Sequence, residues 1–359
     1  MHLPPAMVLQ ILVWGTVVLG SLVSGLVLLG AGIQLRRDRH NRHRIARYQA
    51  WEGELATYLF SGDAVRRAFP RIAKEDRRLF QKFLTPYHAT LAGREAEALR
   101  ELYLGLGVHE SIPRRLKHRQ TSVRAQAAQE VGIFKLGEHL EAVVPLLEDP
   151  VPYVTHLAAQ ALTWSGDLRF ARPVVDWVLR EERYQRERLL RVLEGFGPDL
   201  LPWLEAHLEP PEAAPEPWIL FALLAGSHRH RASEPRLLEL IAHPNVDIQA
   251  SALKALAALA DPLAAARVEP LARHGAWPVR AQAAKALGLI GGPDAIPALI
   301  ALTSDPVYEV RRNAAQGMAD LGHAGTSALT WLAEDPTADR FARDIARERL
   351  EWADERGHL

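Results

Sequence analysis

The chain contains no cysteine among its 359 residues. This absence excludes disulfide bonds, thiolate metal sites and a cysteine nucleophile. Aromatic residues make up only 7% of the chain, whereas hydrophobic residues together make up 48%. The apolar content is therefore mostly alanine, leucine and valine, which favours closely packed helices and argues against a largely disordered chain.

Charge is missing from the start of the chain, because residues 1–35 contain no Lys, Arg, Asp or Glu. The run from Ala6 to Ile33 contains no strongly polar residue except Gln10. At about 1.5 Å per residue, such a run is long enough for a hydrocarbon core of about 30 Å. It is too long for a cleaved signal peptide, and the leader Met1–Pro5 carries no basic residue. We therefore expect residues 1–35 to form an uncleaved transmembrane anchor.

A cluster of basic residues follows this run directly. The residues that we expect to mark topology and to meet lipid head groups are Arg36, Arg37, Arg39, Arg42 and Arg44. By the positive-inside rule, this side of the membrane is the cytoplasmic one. The sequence thus predicts a single-pass protein of a bacterial inner (cytoplasmic) membrane, with its N-terminus outside.

Small residues lie four apart within the predicted anchor, at Gly20 and Ser24. This spacing allows two membrane helices to approach closely. Glycine is also frequent in membrane helices in general, so the pattern has a second explanation. The spacing thus has two alternative explanations: a helix–helix contact in the membrane, or the general frequency of glycine in membrane helices.

The remaining charge divides the chain into a basic and an acidic part. Residues 36–120 hold 19 Lys and Arg against 10 Asp and Glu, whereas residues 121–359 hold 24 against 33. We therefore expect three domains: an anchor (1–35), a basic juxtamembrane helical neck or cap (36–120) and an acidic array (121–359). A nucleic-acid-binding protein is expected to be basic where its surface is largest, and the array is not.

The acidic part repeats a short phrase with a period of 31 residues. The segments 122–128, 278–284 and 309–315 read SVRAQAA, PVRAQAA and EVRRNAA. The apolar residues that set the phase are Val123, Val154, Ile248, Val279 and Val310, and extension of the phase adds Gln185, Trp218 and Phe341. The positions four and five residues later are apolar and mostly alanine. Such a period predicts an all-α fold, an α-solenoid of about eight stacked helical hairpins.

The fullest phrase carries the pattern Asp-Pro-x-x-x-Val-Arg-x-x-Ala-Ala-x-x-Leu-Gly. It includes Asp305-Pro306, Val310-Arg311 and Ala314-Ala315, with an irregular tail before Leu321-Gly322, whereas Val279-Arg280, Ala283-Ala284 and Leu287-Gly288 keep the spacing. This pattern resembles the HEAT repeat, specifically the short bacterial form similar to the phycobilisome-lyase HEAT-like repeats. The resemblance covers about two thirds of the chain, and the least regular part is residues 185–242.

The resemblance implies two sets of functional positions. The first is a ladder in which Arg and Asp of successive units pair, and its candidates are Arg124, Arg280, Arg311, Asp149 and Asp305. Thr155 and Gln249 depart from the pattern and interrupt the ladder. The second set follows because the second helices of HEAT hairpins usually line the concave face. The candidate partner-binding residues there are Trp177, Trp203 and Trp331, although filling gaps between repeats is the alternative role for such residues.

No catalytic motif is present in the sequence, so we expect no enzyme activity, no cofactor and no metal site. The predicted function is a membrane-tethered protein–protein interaction scaffold on the cytoplasmic face of a bacterial inner membrane. Anchored HEAT proteins that this chain resembles accompany envelope machinery, so a role as an accessory to a polysaccharide-synthesising glycosyltransferase complex is included in this prediction. The alternatives are an enzyme of the phycobilin-lyase type, which the repeat family suggests and the anchor argues against, and nucleic-acid binding by the solenoid.

Overall fold

The computed structural model of the chain describes residues 34, 42, 44–59, 69–88, 91, 93–180 and 189–355. Within these ranges all regular secondary structure is helical, which confirms the all-α prediction. The chain divides into two compact units, residues 1–115 and 116–359. The division into anchor, neck and array stays a prediction.

The predicted anchor lies outside the described residues except for Gln34, and so do Gly20, Ser24, Arg36, Arg37 and Arg39. In the part of the chain that the structure describes, no helix combines the length and the apolar character that crossing a bilayer requires. Arg42 and Arg44 are described, and both side chains are exposed.

The first unit is a small helical cluster built around aromatic side chains. Its helices are α1 (residues 44–59), α2 (Arg77–His88), α3 (Gly93–Gly105) and the start of α4 (Ile112–Leu116). Trp51 and Leu55 are the buried residues of α1. The Trp51 ring packs edge-on against Phe80 with centroids 5.0 Å apart, and this contact joins α1 to α2. Pro86 lies inside α2.

The second unit is a stack of helical hairpins. After α4 its helices are α5 (Thr121–Ile133), α6 (Leu140–Val143), α7 (Pro152–Trp164), α8 (Ala171–Arg180), α9 (residues 189–193), α10 (Leu200–His207), α11 (Pro215–Ser227), α12 (Glu234–Leu240), α13 (Val246–Leu259), α14 (Ala265–Val268), α15 (Trp277–Ile290), α16 (Ile296–Leu302), α17 (Tyr308–Asp320), α18 (His323–Glu334) and α19 (Arg340–Glu355). The odd-numbered helices from α5 onward are the first helices of the hairpins, and the even-numbered ones are the second helices. The described residues thus form seven hairpins and a final first helix, where the sequence predicted about eight units.

First helices stack directly on one another because small residues line their shared faces. Val154, Ile248, Val279 and Val310 are fully buried, and alanines dominate the positions four and five residues later. The closest approach is between α15 and α17. A Cβ atom added to Gly288 would lie 2.3 Å from the Cα atom of Gly317, so only glycine allows this backbone contact.

A single kind of turn precedes most first helices, and we call it the junction turn. Its first residue accepts a hydrogen bond from the backbone N–H two residues further on. In three junction turns the acceptor is a carboxylate Oδ1, of Asp149 (3.0 Å), Asp305 (2.9 Å) or Asp335 (2.8 Å). In three others it is a histidine Nδ1, of His118 (3.0 Å), His243 (3.0 Å) or His274 (3.1 Å). Aspartate and histidine can cap the same turn because each side chain has an acceptor atom two bonds from its Cβ atom.

The predicted phase holds only in part at the last unit. Ile345 and Ala346, four and five residues after Phe341, are 4% and 0% exposed, as the phase predicts. Phe341 itself is 51% exposed, and its neighbour Ala342 is 2% exposed. Val310 is the third residue of α17, whereas Phe341 is only the second residue of α19, so the prediction of a buried Phe341 is wrong at the start of this helix. Gln185 lies outside the described residues.

Candidate functional site

Two ion pairs connect consecutive units and have the same geometry. The Arg280 guanidinium donates from Nε to Oδ2 of Asp305 at 2.6 Å and from Nη2 to Oδ1 at 3.0 Å. Arg124 and Asp149 repeat this arrangement at 2.7 and 3.0 Å. In both pairs the carboxylate belongs to the junction turn that opens the next first helix. The two carboxylate oxygens of the aspartate thus accept both the hydrogen bond that forms the turn and the hydrogen bonds from the arginine of the preceding unit.

The arginines lower the pKa of both carboxyl groups. For Asp149, the hydrogen bond from Arg124 is the main cause, and it outweighs partial burial. For Asp305, burial acts to raise the pKa, but the bonds from Arg280 and from the Val307 N–H together lower it. A planar guanidinium that meets a carboxylate through two parallel bonds is a strong and directional contact. Each of the two pairs therefore stabilises one junction between consecutive units.

Arg311 does not continue the ladder. Its Nη1 donates to the backbone carbonyls of Asp305 (2.7 Å) and Pro306 (3.1 Å), and its guanidinium lies 4.6 Å from the ring centroid of Phe341. The Asp335 carboxylate instead accepts from the backbone N–H and hydroxyl of Thr337. At this junction Arg311 therefore contacts an aromatic ring and two backbone carbonyls in place of the next aspartate.

The three predicted binding tryptophans lie in three different environments. Trp177 is only 5% exposed and belongs to the buried stripe of α8. Its side chain is therefore closed to a partner, and the structure does not support it as a binding residue. Trp203 is half-buried and stacks on His207 with ring centroids 4.5 Å apart. Trp331 on α18 is 56% exposed. A binding role for Trp203 and Trp331 stays a prediction.

A groove that the sequence did not predict crosses the first helices of three units. Its deeper part has a volume of about 310 Å³ and is lined by α11, α13 and α15 together with Leu190 of α9. A second depression of about 270 Å³ adjoins it, and both parts share Leu190, Leu223 and Lys254. We call these two parts together the first-helix groove. Its deeper part is at the lower end of the size range of ligand pockets, about 300–1,000 Å³.

The floor of the first-helix groove consists of leucines at positions where most other units have alanine. Leu190 and Leu223 are half-buried and stand five residues after the phase position, where Ala128, Ala159, Ala284 and Ala315 are fully packed. The larger side chains form the apolar floor of the groove. Leu253 stands at the same position of its unit and is fully buried, so the exchange of alanine for leucine does not by itself mark the groove.

One wall of the groove is the indole of Trp277, which is 46% exposed. Glu216 and Asp247 line the groove from the first turns of α11 and α13, and Lys254 lines it further along α13. The side-chain oxygen of Gln282 also faces this region; it is buried and has no hydrogen-bond partner in the described part of the protein. The arrangement offers an aromatic wall, an apolar floor and acceptors for a basic group.

Comparison with known proteins agrees with the repeat architecture. The family model of HEAT repeats matches residues 266–351, which run from α14 to α19. This part of the chain is therefore similar to HEAT repeats. No curated protein matches the sequence.

Several solved structures match the chain at low identity and with low TM-scores. Human deoxyhypusine hydroxylase in complex with glycerol is 18% identical, with 87% of this chain and 98% of that chain covered and a TM-score of 0.30. The two-protein complex of phycocyanin lyase from Nostoc sp. is 18% identical, with 70% and 95% covered and a TM-score of 0.31. A karyopherin bound to a SUMO protease is 14% identical, with 84% and 35% covered and a TM-score of 0.39.

Proposed function

We propose that the chain is a protein-interaction scaffold, tethered by its N-terminal segment to the cytoplasmic face of a bacterial inner membrane. The observation that supports the scaffold role is the stack of first helices, which forms a broad face with a groove across three units. Stacked repeats build extended surfaces of this kind, and such surfaces bind proteins. The narrower role, as an accessory to an envelope or polysaccharide-synthesising glycosyltransferase complex, rests on the resemblance to anchored HEAT proteins.

Support for the tether comes from the sequence. The uncharged run ends directly before the arginine cluster, and this order is typical of an anchor whose following domain stays in the cytoplasm. We expect the full-length protein to remain in the membrane fraction after carbonate extraction. Replacement of Val17 and Val18 by arginine adds about 2.5–3.5 kcal/mol of insertion cost for each residue and should release the protein. Replacement of both by leucine is the matched control and should not.

Orientation is tested separately with intact cells. Protease added from outside should leave the array uncut, and digestion of the array would refute the cytoplasmic assignment. The scaffold role is tested by affinity capture of the full-length protein from gently solubilised membranes. Reproducible recovery of a specific protein supports it, and a glycosyltransferase among the captured proteins supports the narrower role. Capture of nothing beyond the background of an unrelated anchored protein argues against both.

A further inference from the structure

The first-helix groove has a direction. Glu216, Asp247 and Trp277 stand at the first turns of their helices, whereas Gly226, Ser227 and Ala258 line the other end, near the ends of α11 and α13. The groove thus runs along the first helices. A helix of 13 residues such as α11 is about 20 Å long at about 1.5 Å per residue, which sets the scale of what the groove can hold.

The two ends of the groove differ in charge. Glu216 and Asp247 line the part that contains Trp277. Lys254 is the basic residue that both parts of the groove share. The exposed face of an indole also attracts a cation. The Trp277 end is therefore suited to the ammonium of a lysine or the guanidinium of an arginine.

The middle of the groove is suited to an apolar side chain. Leu190, Ile219 and Leu223 are half-buried there without a covering residue in the described part of the array. Burial of an aromatic or large aliphatic side chain against such a surface removes apolar area from water and is favourable. Trp277 adds a wall of the residue type that is enriched in interface hot spots.

We propose that the first-helix groove binds a segment of a partner protein that carries a lysine or arginine next to a large apolar side chain. The basic group lies at the Trp277 end between Glu216 and Asp247, and the apolar side chain packs on Leu190 and Leu223. The overall acidity of residues 121–359, with 33 acidic against 24 basic residues, attracts such a segment at longer range. This inference rests on the proposed scaffold function and names the chemistry of its partner.

The experiment uses the full-length protein in detergent and a library of twelve-residue peptides displayed on phage. We expect the selected peptides to share a large apolar residue flanked by lysine or arginine. A synthetic peptide with the selected sequence should bind at least tenfold more weakly, by fluorescence anisotropy, to Trp277→Ala and to Glu216→Lys. The matched controls are Trp164→Ala, a similarly exposed tryptophan at the end of α7, and Glu309→Lys, an exposed acid in the first turn of α17. Both should bind the peptide as the unchanged protein does.

A selection that yields no peptide, or only peptides without basic residues, would overturn the proposal. So would peptide binding that Trp277→Ala and Glu216→Lys leave unchanged, or losses of binding that are equal in the control variants. Sedimentation of the protein as a dimer that Trp277→Ala dissociates would also overturn it, because the groove would then hold a second copy of the chain. The scaffold function is judged independently: if Trp277→Ala still captures its partner from membranes, the scaffold stands and the groove assignment is wrong.

Discussion

Arg280 of one unit and Asp305 of the next are joined by two parallel hydrogen bonds, and the arginine also donates to the carbonyls of His274 and Gly275 at 2.9 Å each. One side chain therefore ties the junction turn before its own helix to the junction turn of the following unit. The Asp305 side chain is only 6% exposed, so its charge depends on the arginine for compensation. Arg124 makes the same set of contacts around Asp149.

Replacement of Arg280 by methionine should destabilise the array strongly. The change leaves the Asp305 carboxylate buried without its partner, and removal of one member of a buried pair costs about 3–5 kcal/mol. Chemical denaturation followed by circular dichroism measures the loss. Arg311→Met is the matched control, because Arg311 bonds only neutral carbonyls and should cost about 1 kcal/mol. Adding Asp305→Asn to Arg280→Met should recover part of the loss, and equal costs for the two arginine variants would contradict the ladder.

Acid should weaken the array through Asp149 and Asp305. The pKa of each carboxyl group is lower in the folded protein than its ordinary value near 3.8. Their stabilisation is therefore complete above that value and is lost as the pH falls through the folded-state pKa. The stability difference between the unchanged protein and the variant Arg280→Met/Asp305→Asn should shrink below about pH 4. Unfolding free energies measured from pH 3 to pH 7 test this, and a constant difference would refute it.

Gly288→Ala should separate α15 from α17. The new methyl group meets the backbone of Gly317, which cannot move aside as a flexible side chain could. Overpacking of this kind costs about 1–3 kcal/mol. Gly275→Ala serves as the control, because nothing lies within 4 Å of the added carbon there. Thermal unfolding should separate the two variants, and similar melting temperatures would show that the helices are not in backbone contact.

Trp177→Ala and Trp331→Ala should differ in their effect on stability. Trp177 fills a buried position on α8, so its truncation leaves a cavity and costs about 3–5 kcal/mol. Trp331 is largely exposed, and a surface substitution changes stability by about 0.5 kcal/mol or less. Denaturant midpoints of the two variants provide the comparison. A large loss for Trp331→Ala would mean that α18 is covered by another part of the chain.

His274 should be replaceable by aspartate but not by alanine. Its Nδ1 accepts the Ala276 N–H, and loss of a capping acceptor costs about 0.5–2 kcal/mol. Aspartate makes the same bond in the junction turns at Asp149, Asp305 and Asp335. We expect His274→Asp to keep most of the stability that His274→Ala loses, measured by the same unfolding assay near pH 7. Equal losses would show that the turn needs the imidazole itself.

The sequence predicted the hairpin stack well because a fixed period leaves few alternatives. Val154, Ile248, Val279 and Val310 mark buried positions, and the period brings Arg280 within reach of Asp305. The same arithmetic gives the buried Ile345 and Ala346 of α19 but fails at Phe341, which is exposed near the start of that helix. Phase counting therefore locates units but does not locate their helix ends.

The sites could be predicted only in part. Trp177 shares a face of α8 with Val174 and Val178, so the helical spacing within α8 indicates its burial better than residue type does. The first-helix groove is formed by the first helices of three consecutive units together with Leu190 of the unit before them, so residues far apart in the chain, such as Leu190 and Trp277, line it together. Its leucines were visible in the sequence, but whether they face solvent depends on how closely the neighbouring helices stack.

The junction turns show that two unlike side chains are interchangeable at one position. An imidazole nitrogen at His118, His243 and His274 and a carboxylate oxygen at Asp149, Asp305 and Asp335 accept the same backbone hydrogen. What a unit requires there is a lone pair at the correct distance, and neither the charge nor the residue type is fixed. A hairpin can therefore lose its recognisable aspartate–proline signature and still join its neighbours in register.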